Sequence, residues 1–96
     1  MMVLITYDVN TISTTGSKRL RHVAKECLNY GQRVQNSVFE CVLTEAQFVT
    51  LKHTIKSIID INLDSVRFYT LGKNWKKKIE SIGKETSFDV TSELII

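Results

Sequence analysis

The sequence predicts an α+β domain in which two helices cover one face of a small antiparallel sheet. Three observations carry this expectation. Met2-Val3-Leu4-Ile5-Thr6-Tyr7 is a charge-free, β-prone run that ends in Asp8. Leu20, Val23, Ala24, Cys27 and Leu28 recur at i, i+3, i+4, i+7 and i+8, the stripe of an amphipathic helix. Thr44-Glu45-Ala46-Gln47 has the form of a capping box, which opens a second helix between two β-like segments.

Taken in order, residues 1–9 read as a strand buried on both faces, with Val3, Ile5 and Tyr7 pointing one way and Met2, Leu4 and Thr6 the other. Asp8 shares the second face at the strand's end. Residues 17–30 read as a helix with Ser17 as N-cap and Gly31 as its C-terminal stop. Lys18, Arg19, Arg21, His22, Lys25 and Glu26 lie off its apolar stripe. Residues 33–43 turn β-like, either as one bent strand or as a tight hairpin around Gln35-Asn36-Ser37, and periodicity does not choose between them. After the capping box, Phe48, Leu51, Ile55, Ile58 and Ile59 give the second helix its core face. Asp60 to Asp64 form a loop, and Ser65 to Leu71 a further strand with Val66 and Phe68 on one face and Arg67 and Tyr69 on the other.

With a hairpin in the middle, the order is βαββαβ, the ferredoxin-like arrangement. Both helices then pack on one sheet face, and the chain has no third helix for the other. Dimerisation through the bare face is the expected solution. The whole chain, 1–96, is expected to be one domain, with residues from about 73 onward as a C-terminal extension in dimer or partner contacts. In that extension Lys73-Asn74-Trp75-Lys76-Lys77-Lys78 surrounds the only tryptophan with bases. Ile79 to Ile82 is a candidate short strand. Phe88-Asp89-Val90 and Leu94-Ile95-Ile96 are apolar patches of the kind that pair with a sheet edge, here on the partner subunit.

Composition narrows the class. A 96-residue chain buries only roughly two-thirds of its unfolded surface, so a partner subunit would help it. Hydrophobic content of 43% and charged content of 24% fit a folded globule. A net charge of +3 leans towards an anionic partner. Cys27 and Cys41 have neither metal-site nor disulfide-framework spacing, and Cys27 reads as a buried free thiol. The opening run is too short to span a bilayer and follows no secretory n-region, so a reduced, cytoplasmic setting without membrane contact is expected. His22 and His53 form no ligand pair, and no nucleophile triad or phosphate-cradling glycine loop is present. Trp75 stacks on a base or packs under lysine stems.

Asp8 is the candidate centre. A strand that delivers one carboxylate to its tip, beside a basic helix, suits a hard metal ion held against a phosphate. Mg²⁺ takes one or two carboxylates plus waters and phosphate oxygens. One aspartate per chain is too few, whereas two copies across a two-fold axis supply two. Mn²⁺ suits the same oxygen ligands. Asn10, Ser13, Thr14 and Ser17 are candidate oxygen or phosphate contacts, and the start of the first helix is a candidate phosphate seat. Lys18, Arg19, Arg21 and Arg33 are candidate phosphate clamps.

These residues form a pattern. Tyr7-Asp8-Val9, Lys18 to Lys25, Tyr30 to Glu40 and Asp64 to Gly72 resemble, in order and spacing, the Cas-two family, the smaller of the two core adaptation proteins of CRISPR systems. The block from Arg33 to Glu40 is the most specific part. The resemblance implies a ferredoxin-like fold and a symmetric homodimer whose two Asp8 carboxylates meet near the two-fold axis and bind Mg²⁺. It implies metal-dependent endonuclease activity on single-stranded RNA or double-stranded DNA, and a bridging role with the larger Cas-one integrase in spacer acquisition. It points to Tyr7, Arg19, Arg33 and Phe39 by motif context, with Arg33 on phosphate and Tyr7 and Phe39 shaping the site or interface. Two functions follow. In one, the dimer is a phosphodiesterase centred on Asp8. In the other, it is a non-catalytic scaffold whose basic faces, including Arg19, Arg21, Lys76, Lys77 and Lys78, grip a DNA duplex while the tail docks the integrase.

Overall fold

A computed structural model of the chain describes residues 1–10 and 14–83. It contains β1 (Met2–Asp8), α1 (Gly16–Leu28), β2 (Gly31–Gln35), β3 (Val38–Val42), α2 (Glu45–Ile58), β4 (Ser65–Gly72) and a short 3-10 helix (Trp75–Lys78). The four strands form one sheet in the order β2-β3-β1-β4, every neighbouring pair antiparallel. The middle segment is thus a hairpin, turning at Asn36 and Ser37, and the order is the βαββαβ of a ferredoxin-like α+β fold. β1 lies in the centre, paired on both sides, which is where a charge-free, β-branched segment belongs.

The core lies between the helices and one face of the sheet. Val3, Ile5 and Tyr7 of β1 meet Val23, Ala24 and Cys27 of α1, Leu51 and Ile55 of α2, and Phe39 and Cys41 of β3, all buried. Val66 and Phe68 pack against this cluster, Phe68 edge-to-face with Phe48 at 5.6 Å between centroids. α2 starts as its sequence dictates. The Gln47 amide donates to Thr44 Oγ1 (3.1 Å), and the Thr44 amide donates to Gln47 Oε1 (2.9 Å).

Several expectations need correction. The N-cap of α1 is Thr15, not Ser17, which stands exposed in the first turn. Leu28, the last residue of that helix, is half exposed instead of buried with the rest of the stripe. Gly31 begins β2 instead of merely ending α1. A Cβ there would fall 1.9 Å from the Glu40 carbonyl oxygen, so only glycine lets β2 approach β3. β1 is covered on both faces only at Met2, where Trp75, Val42 and Leu71 form a second small cluster. Further along, Leu4 and Thr6 are only partly covered. Within the single chain Ile79–Ile82 forms no strand. It pairs with no other described residue, and Ile82 is fully exposed. The patches at Phe88-Asp89-Val90 and Leu94-Ile95-Ile96 lie outside the described residues. No helix among the described residues is long and apolar enough to cross a membrane.

Candidate nucleic-acid site at the tip of the central strand

Asp8 closes β1 on the sheet face that the helices leave open, opposite Ser65 of β4. Its carboxylate is exposed and, among the described residues, makes no hydrogen bond or ion pair. Register places Leu4, Thr6 and Asp8 on this face beside Tyr69, Arg67 and Ser65. Together Thr6, Asp8, Ser37, Ser65, Arg67 and Tyr69 line an open polar groove of about 380 Å³. A carboxylate surrounded by hydroxyls and one guanidinium offers hard oxygen donors and an anion-binding fork on one surface.

Behind the groove lies a buried carboxylate that sequence reading did not single out. Asp64, just before β4, accepts from the Tyr7 hydroxyl (2.7 Å) and from Arg19 Nε (2.7 Å) and Nη2 (3.1 Å). The backbone amides of Asn10 (3.0 Å) and Asp60 (3.1 Å) also donate to it. Burial works against its charge, but the Arg19 guanidinium, the Asn10 amide, the Tyr7 hydroxyl and the Asp60 amide outweigh that cost and hold the carboxyl well below the usual carboxylate range. Burial and the Asp64 carboxylate in turn push the Tyr7 hydroxyl far above its ordinary value, so it stays a protonated donor. One side chain thereby ties together the residue before Asp8, the loop after it, the first turn of α1, and the entry to β4.

The nominated residues divide accordingly. Tyr7 is in the core and shapes the tip through Asp64. Phe39 is also core, and the Arg33 guanidinium stacks 5.3 Å from its ring centroid. That stacking puts Arg33 on the helix side of the sheet, away from the Asp8 groove of the same chain. Arg19 is committed to Asp64 and also donates to the Thr15 hydroxyl. Lys18, Arg21 and Lys25 are exposed along α1. Asn10 is pinned through its backbone, Thr14 is exposed, and Ser13 lies outside the described residues. Lys76 and Lys77 are exposed on the 3-10 helix, and Lys78 donates to the Leu71 carbonyl at 2.8 Å. Trp75 is packed on Met2 with only 8% exposed, so it offers no stacking platform.

Residues that sequence reading missed are Asp64, Arg67, Tyr69, Ser37 and Ser65. Alternation had placed Arg67 and Tyr69 on the face opposite Val66 and Phe68, but only the register with β1 sets them beside Asp8. Asp64 had a weaker signal, an acidic residue immediately before an apolar strand where burial is expected. The cysteines are both buried and free, with Cys41 Sγ donating to the Cys27 carbonyl at 3.5 Å.

Fold and site define a ferredoxin-like α+β domain with a solvent-facing carboxylate at the tip of its central strand. The family model for CRISPR associated protein Cas2 matches residues 1–79. The CRISPR-associated endonuclease Cas2 of Halalkalibacterium halodurans is 57% identical over 95 residues, covering 99% of each chain. The CRISPR-associated endoribonuclease Cas2 of Chlorobaculum tepidum is 50% identical over 96 residues, the full length of both. Among solved structures, Streptococcus pyogenes Cas2 at pH 6.5 superposes with a TM-score of 0.79 at 64% identity, covering 86% of this chain and all of that one. The chain belongs to the Cas2 family of CRISPR-associated proteins.

Proposed function

We propose that the protein is a divalent-metal-dependent nuclease of CRISPR adaptation that works as a symmetric homodimer, with Asp8 of each subunit contributing to one metal site. The observation that carries this reading is the unpaired, exposed Asp8 carboxylate in a groove of hydroxyls, held in place by a buried network. The names of the relatives, endonuclease and endoribonuclease, support a phosphodiester substrate; the reading takes it to be double-stranded DNA or single-stranded RNA.

The donor set fits Mg²⁺ or Mn²⁺. An aspartate oxygen and hydroxyl oxygens are hard ligands, and no soft ligand lines the groove. Among the described residues no three acidic, histidine or cysteine side chains come together, so Asp8 has no second carboxylate beside it within that part of one subunit. The partly covered Leu4, Val38 and Val42 on the same face favour its burial against a second copy. When bound, such an ion supplies positive charge against the phosphoryl oxygens and a water of lowered pKa. The chain's own residues do the rest. Asp64 fixes the strand tip through Tyr7, so Asp8 is presented in one position.

A second reading is a non-catalytic scaffold that binds duplex DNA and bridges the larger Cas-one integrase subunits. It is favoured by the row of exposed bases on α1, Lys18, Arg21 and Lys25, which suits a phosphate backbone and reads no bases.

The test is cleavage of duplex DNA and single-stranded RNA by wild type and Asp8→Ala, with Mg²⁺ or with chelator. Cleavage that needs both Mg²⁺ and Asp8 supports the nuclease. Full Mg²⁺-dependent cleavage by Asp8→Ala rules it out. Tight, salt-sensitive duplex binding by both proteins with no cleavage by either favours the scaffold.

A further inference from the structure

We infer that Cys27 and Cys41 are a reversible dithiol–disulfide pair, which a small-molecule disulfide oxidises to an intramolecular bond that clamps the end of α1 onto β3. The pair stands apart from the nuclease reading. Cys41 is opposite Val3, at the other end of β1 from Asp8.

The fold brings together two thiols that lie 14 positions apart. Cys27 is in the last turn of α1 and Cys41 is in β3, and both are fully buried in the core between helices and sheet. The Cys41 thiol donates to the Cys27 carbonyl at 3.5 Å and also hydrogen-bonds with the Cys27 thiol. Backbone contacts hold the two segments in this position. The Tyr30 amide donates to the same Cys27 carbonyl (3.0 Å), and the Val42 amide donates to the Tyr30 carbonyl (3.0 Å). Gly31 supplies the close approach, since a Cβ there would lie 2.6 Å from the Cys41 Cα. Thiols already in contact need little backbone movement to reach bonding distance.

In the closed fold the pair is kept reduced. The adjacent Cys41 thiol and burial push the Cys27 thiol far above its ordinary value, so little thiolate forms. Reaction therefore needs local opening, and the end of α1 is the place for it. Leu28 and Asn29 are exposed, and helix termini open at low cost. Once exposed, Cys27 gives its proton to solvent and its thiolate attacks the small disulfide. A mixed disulfide forms, and one small thiolate leaves and takes up a proton. On reclosing, Cys41 loses its proton in turn, attacks the Cys27 sulfur and expels the second small thiolate. In sum, two protein thiols are oxidised to one disulfide, and one small disulfide is reduced to two thiols.

The test is incubation of wild type and Cys41→Ser with oxidised glutathione, in buffer and in urea below the unfolding transition. Alkylation in denaturant, intact mass, peptide mapping and thermal unfolding follow. Wild type should become a single chain lacking two hydrogens, with Cys27 and Cys41 in one linked peptide. The bond should form faster in urea and be reversed by dithiothreitol. Its Tm should rise by about 10 °C, because the bond constrains a loop of about 15 residues in the unfolded chain. Cys41→Ser should stop at a glutathione adduct on Cys27, since the second thiol is missing. Two alkylated thiols in wild type under both conditions would overturn the inference. So would arrest of wild type at a glutathione adduct, a disulfide between chains, or an oxidised form no more stable than the reduced one.

Discussion

The Tyr7 hydroxyl donates a 2.7 Å hydrogen bond to Asp64, a residue 57 positions away, and this contact fixes the residue that precedes the exposed Asp8. Removing the hydroxyl takes one charge-assisted donor from a buried carboxylate. Tyr7→Phe should therefore cost about 1.5–3 kcal/mol in urea unfolding while keeping the fold. A variant as stable as wild type would show that the bond contributes nothing to stability.

Arg19 and Arg21 are close in sequence but should behave oppositely. Arg19→Ala leaves the Asp64 carboxylate buried without its cation and should destabilise by about 3 kcal/mol. Arg21→Ala, at an exposed position, should change stability by less than about 0.5 kcal/mol. Thermal unfolding of the pair checks this. Equal effects would contradict the assigned roles.

Asp64 should also set an acid limit to stability. Its carboxyl titrates lower in the folded protein than the ordinary value of about 3.9 expected when unfolded. The unfolded chain therefore binds a proton first as pH falls. The stabilisation is fully present above about pH 5 and is lost progressively below about pH 4, as pH falls towards the folded value. Wild type should lose stability over that acid range more steeply than Asp64→Asn, which has no proton to take up there. Parallel curves would contradict the role given to Asp64.

Gly31→Ala tests the close approach of β2 to β3. The added methyl would meet the Glu40 carbonyl oxygen and the Cys41 Cα, both backbone atoms that cannot swing aside. A loss of several kcal/mol is expected, of the size seen for severe overpacking, with β2 amides exchanging faster than those of β1. Near-native exchange in β2 would show that the strand accommodates the methyl.

What the sequence made legible was local. The i, i+3, i+4 stripe of α1, the Thr44–Gln47 box and the alternation of Val3, Ile5 and Tyr7 each depend on neighbours a few residues apart, and the structure has each of them. Asp8 at an open strand tip was readable for the same reason. The buried carboxylate was not, because Asp64 meets Tyr7 and Arg19 only after two crossovers bring β4 against β1. Arg19 looked like any solvated helix base, since no pattern announces a partner 45 residues away. Gly31 read as a helix stop because the strand it must approach lies across a hairpin whose existence periodicity had left open. For Trp75 the sequence leaves open stacking on a base or packing under lysine stems, and the 3-10 helix packs it onto Met2 with Lys76 Nζ 5.8 Å from its ring centroid.

The most direct test of the central claim is the stoichiometry of Mn²⁺ binding to wild type and Asp8→Ala, read by titration calorimetry at neutral pH. Shared coordination by two Asp8 carboxylates predicts one ion per two chains in wild type and no saturable binding in Asp8→Ala, with both proteins dimeric. One ion per chain, or unchanged binding in Asp8→Ala, would contradict it.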